Sequence, residues 1–388
     1  MRLAIVGGKL QGIECAYLAK KAGFTTVVLD RRPSAPALSL ADETVVLDVV
    51  SRSKEALRTF SDCDAILPAN EDLATLTALD ELSRKAGVPL LFDLEAYRTS
   101  SSKLLSNKLM NELNVLTPRP WPDCGYPAVV KPSSLSGSAG VMKASCQQEL
   151  EEGLARIKEL NDDVVIQEFV EGPSISIEVI GNGEDAVPLV TTEVIIDDDY
   201  DCRMVKCPFT GIDASAEEEF KEWGRRIAER MALWGIMDVE AILQDGFPKV
   251  LEIDARMPSQ TPAAVYHATG VNIVETLVNA LMRDRLERPS PRPGAAIYEH
   301  IAVDGDLMRS CGEGVFAQVR SPKVRKGLFG SDEMITDYVP GRTSWRATII
   351  CSGATPAEAW EKRSACIDRI IDSAKVSRFE CRGEEMRA

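Results

Sequence analysis

The chain has little of what several common chemistries require. It carries two histidines, His267 and His300, far apart in its 388 residues, which argues against a histidine-rich zinc centre. Its ten cysteines run from Cys15 to Cys381 without a Cys-x-x-Cys pair. They therefore read as reduced cytoplasmic thiols packed as small hydrophobes. No serine or cysteine triad is indicated. Apolar runs such as residues 3–6 and 27–29 are strand-sized, so no transmembrane helix is expected. Met1 leads straight into a strand-like segment, leaving no room for a signal peptide. Positive charge is in deficit, with 45 Lys and Arg against 60 Asp and Glu and a net charge of −15. That balance argues against nucleic-acid partners and a polybasic membrane anchor, but leaves room for a small basic phosphate pocket.

Hydrophobic residues make up 45% and charged residues 27%, the balance of an ordinary globular protein. At roughly 100–200 residues per domain, the length suggests two or three domains. In residues 1–98, strand signals at 3–6, 26–30, 45–47 and 65–68 alternate with helix signals at 11–22, 54–60 and 74–86. This is a Rossmann-like parallel sheet covered by helices. Residues 99–288 carry a helix at 103–113, a proline-rich turn at 117–122 and strands at 129–131, 164–166 and 176–180. A helix at 216–232 then leads to paired strands at 237–243 and 248–253, an α+β signature. The proline-rich stretch 288–294 marks a third, smaller α+β region, 289–388, ending in a strand at 347–351 and a helix at 356–374.

Gly7-Gly8-Lys9-Leu10-Gln11-Gly12 follows a strand and opens a helix, where outward-pointing amides favour an anion. Asp30 ends the next strand, the place of a ribose-binding acid in a dinucleotide fold. Lys9 stands where close approach to a pyrophosphate needs glycine, so the dinucleotide fingerprint is broken. A structural turn and a site for another small anion both stay open. Further on, Lys103 opens a helix and Lys131 ends a strand. Directly after it comes the loop Ser133-Ser134-Leu135-Ser136-Gly137-Ser138-Ala139-Gly140-Val141. Small residues there can wrap phosphates with amides and hydroxyls. In Gln167-Glu168-Phe169-Val170-Glu171-Gly172, the backbone can pair with an adenine edge while Phe169 and Val170 offer apolar surface. A plain strand end is the bland alternative.

The strongest constellation is Asp238-Val239-Glu240 with Glu252-Ile253-Asp254-Ala255-Arg256. Alternation puts Asp238 and Glu240 on one strand face and Glu252, Asp254 and Arg256 on one face of the next. The Gln244-Asp245-Gly246 turn folds those faces together. Carboxylates on otherwise apolar strands are costly without a cation, and oxygen-only ligands favour magnesium. A surface salt-bridge cluster is the competing reading.

In this order, these motifs resemble the ATP-grasp carboxylate–amine ligases, and the preceding βαβ domain extends the resemblance over essentially the whole chain. More specific strings are Gly7 to Gly12, Pro68-Ala69-Asn70-Glu71, Tyr200-Asp201-Cys202-Arg203-Met204-Val205 and Gly235-Ile236-Met237-Asp238-Val239-Glu240-Ala241-Ile242. Glu252 to Pro262 and Ile297-Tyr298-Glu299-His300 complete them. These are similar to the 3-methylornithine–lysine ligases of pyrrolysine biosynthesis. Two departures stand out. Ser102 precedes Lys103 where many members have aspartate, and Ser174 stands where several have the ribose-binding glutamate.

The resemblance implies joining the carboxylate of 3-methyl-D-ornithine, or its analogue D-ornithine, to the ε-amine of L-lysine through an acyl phosphate. ATP would go to ADP and phosphate. It implies ATP on Lys103, Lys131, Ser136, Gly137, Ser138 and Gln167 to Glu171, with Glu171 or Glu178 on the ribose. Magnesium, as two ions, would sit on Glu240, Glu252 and Asp254 and, with Lys103 and Lys131, counter the transferring charge, while Arg256 would stabilise the acyl phosphate or the oxyanion formed from it. Asp201 and Asp238 would take the ornithine amines. Leu10, Gln11 and Gly12 would hold the lysine carboxylate, Glu71 its ammonium, and Ser259, Gln260 and Thr261 the other side. A ligase for another amino-acid pair and a non-catalytic ATP-binding regulator are the alternatives. The sequence identifies no general base and leaves a homodimer open.

Overall fold

Strand β1 (Arg2–Val6) is buried on both faces and pairs in parallel with β2 (Thr25–Asp30) and β4 (Ala65–Pro68), while β3 (Glu43–Val46) joins β2. The order β3-β2-β1-β4 is that of a parallel sheet with crossover helices. These are α1 (Leu10–Lys21), α2 (Ser53–Ser61) and α3 (Leu73–Ala86). This computed structural model describes residues 1–197, 200–290 and 292–380. Pro291, inside the proline-rich boundary, and Cys381 lie outside them. The helices begin and end within a few residues of the positions expected from periodicity. Helix α1 is buried from Gly12 to Ala19, Glu14 included. Its other face packs on elements of the second part described below.

Two short helices, α4 (Leu94–Ser100) and α5 (Lys103–Glu112), lead into the second part. Ser102 caps α5, its hydroxyl accepting from the Leu105 amide at 3.4 Å. Serine and aspartate serve equally well as N-caps, so this departure costs the helix nothing. A three-stranded antiparallel sheet follows, β5 (Ala128–Pro132), β6 (Met142–Ala144) and β7 (Val164–Glu168), covered by α6 (Gln147–Leu160).

The large antiparallel sheet starts with β8 (Ser174–Asn182), β9 (Ala186–Pro188), β10 (Thr192–Ile196) and β11 (Cys202–Cys207). After α7 (Ala214–Arg230) come β12 (Trp234–Gln244) and β13 (Phe247–Asp254), then α8 (Thr261–Thr269) and α9 (Ile273–Met282). The third part adds β14 (Ala295–Asp304), β15 (Leu307–Ser310), α10 (Glu313–Phe316), β16 (Lys323–Lys326) and β17 (Glu333–Thr336). It closes with β18 (Ser344–Gly353), α11 (Pro356–Ala374) and β19 (Arg378–Glu380). Strand β11 pairs antiparallel with β14, Met204 opposite Glu299. The sheet therefore runs unbroken through the boundary at 288/289, and strands of the third part extend that of the second.

The largest core cluster joins all three parts. Ile13, Ala16 and Tyr17 of α1 meet Ala264 and Val265 of α8, Ile273 and Leu277 of α9, and Tyr298 of β14. Buried polar contacts follow the same seam. Tyr298 donates to Glu14 at 2.5 Å, and Tyr17 donates to Glu333 at 2.5 Å. Among the described residues no helix is long and apolar enough to cross a membrane.

Candidate active site

The β12–β13 hairpin brings the carboxylates together. Its Asp245-Gly246 turn has φ of 51° and 83°, the left-handed pair of a two-residue hairpin loop. The register places Asp238 opposite Asp254 and Glu240 opposite Glu252. Like charges directly opposite destabilise a sheet unless something neutralises them. Glu240, Glu252 and Asp254 each offer an oxygen within 4.8 Å of the others. Burial and the neighbouring Glu252 and Asp238 push Glu240 well above the usual carboxylate range. Burial, with the charges of Glu252, Glu71 and Asp238, pushes Asp254 up to about 7 against the opposing pull of Arg256. Such an oxygen-only, under-neutralised set fits a divalent cation.

Basic groups approach this cluster from the start of α5 and from β5. The Lys103 ammonium lies 3.1 Å from Glu252 and donates to the Leu135 carbonyl at 2.8 Å. Lys131 is 6% exposed, and burial lowers its pKa while Glu252 works against that shift. Glu252 is held below its usual value by Lys131 and Lys103 although burial opposes them. In the hinge, Glu168 pairs with Lys249 at 2.9 Å and with Arg119 at 3.3 Å, so its side chain anchors the hinge to β13. Lys143 stands 3.8 Å above the Phe169 ring and 3.8 Å from Glu171. Gln167 and Val170 are buried beside them.

A cavity of about 860 Å³ opens beside the carboxylates, between the first sheet and the large one. Leu10, Gln11, Glu71, Ser136, Gly137, Ser138, Asp201, Asp238, Arg256, Ser259, Gln260 and Thr261 line it together with Glu240, Glu252 and Asp254. Glu71 is more engaged than its position alone suggests. It accepts from Gln11 at 2.8 Å, from Arg256 at 2.9 Å and from Ser136 at 2.5 Å. Burial would raise its pKa, but Arg256 and Ser136 outweigh it and the pKa falls. Arg256 also donates to Asp254 at 3.0 Å, and so bridges the first domain to the carboxylate cluster. Asp238 accepts from Ser176. Gln260 adopts φ +76°, a strained conformation for a non-glycine residue of the kind found at functional sites.

Three expectations change. Gly12 does not line the cavity; a Cβ there would stand 2.1 Å from the Gly7 carbonyl oxygen, so close packing requires this glycine. Asp30 accepts from the Gly8 amide at 2.7 Å and the Arg32 amide at 2.8 Å. It is thus occupied in fixing its own loops, although it also borders the cavity. Glu178 is fully buried opposite Asp238, without a hydrogen-bond partner for either carboxylate oxygen. Burial and the Asp238 charge push it up to about 8. It lies beneath the cleft, whereas Ser174 lines the cavity.

Sequence reasoning missed Glu313 of α10, which also lines the cavity and accepts from Ser259 at 3.2 Å and Gln260 at 3.3 Å. Only its place between Gly312 and Gly314 marked a turn there. It missed Ser176 and Lys249 as well, because neither stands in a recognisable motif.

The chain matches a family model described as an ATP-grasp domain over residues 100–260, and one described as a PylC-like N-terminal domain over residues 3–91. The 3-methyl-D-ornithine–L-lysine ligase of Methanosarcina barkeri is 39% identical over 301 residues, 77% of this chain and 79% of that one. The chain belongs to the 3-methyl-D-ornithine–L-lysine ligase family of ATP-grasp enzymes. It is an ATP-dependent ligase. Its relative from Methanosarcina mazei is 38% identical over 302 residues, covering 78% of each chain. Among solved structures, the biotin carboxylase domain of the Hydrogenobacter thermophilus 2-oxoglutarate carboxylase, in complex with MgADP, ADP and bicarbonate, superposes with a TM-score of 0.71. That match is 15% identical and covers 96% of this chain and 89% of the other, so it speaks for the fold.

Proposed function

We propose that this chain joins the carboxylate of 3-methyl-D-ornithine to the ε-amine of L-lysine, converting ATP to ADP and phosphate, in pyrrolysine biosynthesis. The observation that carries the reading is the Arg256 bridge. One guanidinium binds both Asp254 of the carboxylate cluster and Glu71 of the first domain, so phosphoryl chemistry and an amino-acid pocket share one cavity.

A carboxylate is a poor electrophile because amine attack would have to expel oxide. Its oxygen therefore first attacks the γ-phosphorus of ATP, releasing ADP and giving an acyl phosphate. The neutral ε-amine then adds to the carbonyl carbon, and the tetrahedral intermediate collapses by expelling phosphate. Lys103 and Lys131 counter the charge on the transferring group, in a site where preorganised cations act strongly. Glu240, Glu252 and Asp254 would hold magnesium, which neutralises phosphate oxygens when bound. The number of carboxylates on the hairpin favours two ions. Ser136, Gly137 and Ser138 would cradle the phosphates. The hinge from Gln167 to Glu171 would take the adenine, with Glu171 and Ser174 nearest the ribose.

Lysine would bind with its α-carboxylate at the amides opening α1, beside Leu10 and Gln11, and its ammonium on Glu71. Arg256 now occupies Glu71, so an incoming ammonium would displace the guanidinium towards the acyl phosphate it is to stabilise. The buried free thiols Cys15, Cys63, Cys207, Cys311, Cys351 and Cys366 support a reducing, cytoplasmic setting. Mass spectrometry after incubation with ATP, magnesium, L-lysine and D-ornithine tests the reaction. The expected product is the amide of the two amino acids with equimolar ADP. ADP formation only with another amino-acid pair would reassign the substrates.

A further inference from the structure

Several acids of the cavity crowd around Arg256. Glu71 and Asp254 share Arg256, and Asp238 accepts from Ser176. Glu313 differs from these. One of its oxygens accepts from the Ser259 hydroxyl and the Gln260 amide, both neutral donors. Among the described residues no lysine or arginine forms an ion pair with it. Asp201 stands alongside, accepting from the Gly314 amide at 2.8 Å. Burial, reinforced by the Asp201 charge, raises the Glu313 pKa.

Its support is rigid. The Gln260 amide nitrogen also lies 3.0 Å from the His300 ring nitrogen and donates to the Cys202 carbonyl at 3.3 Å. His300 is itself fully buried and paired with Thr348 at 2.8 Å. A carboxylate fixed in a cavity without a cation is costly, and an arriving ammonium would remove that cost.

Resting on the reaction proposed above, we infer that Glu313 is a specificity residue that receives the side-chain ammonium of the ornithine-type substrate. The reacting carboxylate of that substrate must lie at Arg256 and the metal-binding cluster. Its α-ammonium, one carbon away, falls to Asp238 on the same hairpin. The side-chain ammonium lies three carbons further along, beyond the hairpin. Ser259 and Gln260, which hold Glu313, follow Arg256 by three and four positions in the chain. Asp201, Cys202, Glu240 and Glu313 all line the one cavity, which puts the third-part acid and the cluster in the same space. The lysine substrate, held at Gln11 and Glu71, has its ammonium partner already.

The test compares D-ornithine with D-norvaline, which has the same carbon chain without the terminal amine, as partner for L-lysine in steady-state kinetics. The parent should prefer D-ornithine. Glu313→Gln keeps an acceptor for Ser259 and Gln260 but removes the charge. It should raise the D-ornithine KM by on the order of 10²-fold, as for a broken buried charge pair. The preference over D-norvaline should collapse, while the KM values for ATP and L-lysine stay within a few-fold. Glu313→Asp, which restores the charge, should recover part of the preference, a rescue that a merely structural role would not show. A preserved preference in Glu313→Gln, or a rise confined to the lysine KM, overturns the inference. A parent that does not couple D-ornithine to lysine at all sinks the functional reading and this inference with it. An active parent with an indifferent variant sinks this inference alone.

Discussion

The glycine-bearing segments 7–12, which opens α1, and 133–141 each follow a strand, but different forces shape them. In the first, glycine answers to backbone contact. A Cβ on Gly7 would stand 2.1 Å from the Ala69 carbonyl oxygen, and one on Gly12 would stand as close to Gly7. In the second, Gly137 has φ +60° with nothing within 4 Å of a Cβ, so only its backbone conformation calls for glycine. The contacts differ as well. The first loop is locked inside its own domain by Asp30. The base of the second is anchored by Ser133 and Ser134, Ser134 donating twice to Asp162, while its tip is tied by single hydrogen bonds to distant segments, Ser136 to Glu71 and Ser138 to the Tyr200 carbonyl at 3.0 Å. The first segment is therefore part of a packed frame, and the tip of the second lies outside any core.

The largest effect is expected where the second loop meets the carboxylates, since Lys103 joins Leu135 to Glu252. Glu252→Gln should lower turnover by about 10²–10³-fold and leave the melting temperature nearly unchanged. ADP release across a magnesium titration checks it, and normal turnover at low magnesium would remove Glu252 from the metal site.

Glu71 touches both loops, through Gln11 and Ser136. Glu71→Ala should raise the lysine KM by about 30-fold or more, as for a lost charge partner. The KM for ATP should move far less. Kinetics with each substrate varied in turn decide this, and a rise confined to the ornithine-type substrate would exchange the two amino-acid positions.

The glycines separate the loops by stability. Gly12→Ala forces a methyl group against backbone and should cost about 1–3 kcal/mol, read as an earlier thermal unfolding transition. Gly137→Ala meets open space at a left-handed φ, a local strain of about 1–2 kcal/mol. Because the loop tip lies outside any core, global melting should barely shift and the ATP KM should change by a few-fold. Equal melting shifts in both variants would erase the distinction between frame and loop tip.

Much of the site was legible because it is local. The Asp245-Gly246 turn and alternation placed Asp238 with Glu240 and Glu252 with Asp254 on their own strands, but unbroken register would set Glu240 opposite Leu251; the bulge after Val250 turns the two pairs face to face, while the βαβ pattern put Gln11 and Glu71 at one sheet edge. Lys103 and Lys131 stood out at a helix start and a strand end. Strands at 192–196 and 202–207 and the helices at 261–269 and 273–282 escaped notice. Glu193, Arg203 and Lys206 interrupt the apolar pattern of the two strands, and α8 is buried nearly all round.

What the sequence determined by itself is the elements with a clear period and the alternation of side chains within each strand, because both follow from backbone periodicity and turn chemistry. Tertiary structure alone decided which remote group each charge meets. Arg256 pairs with Glu71 across 185 positions of chain, and Gln260 meets Glu313 across 53. Glu178 has the same alternation as Ser174 and Ser176, yet it disappears beneath the cleft while Ser174 and Ser176 line it. Periodicity names a face; only the packing of distant elements determines whether that face meets solvent, a cation or another carboxylate.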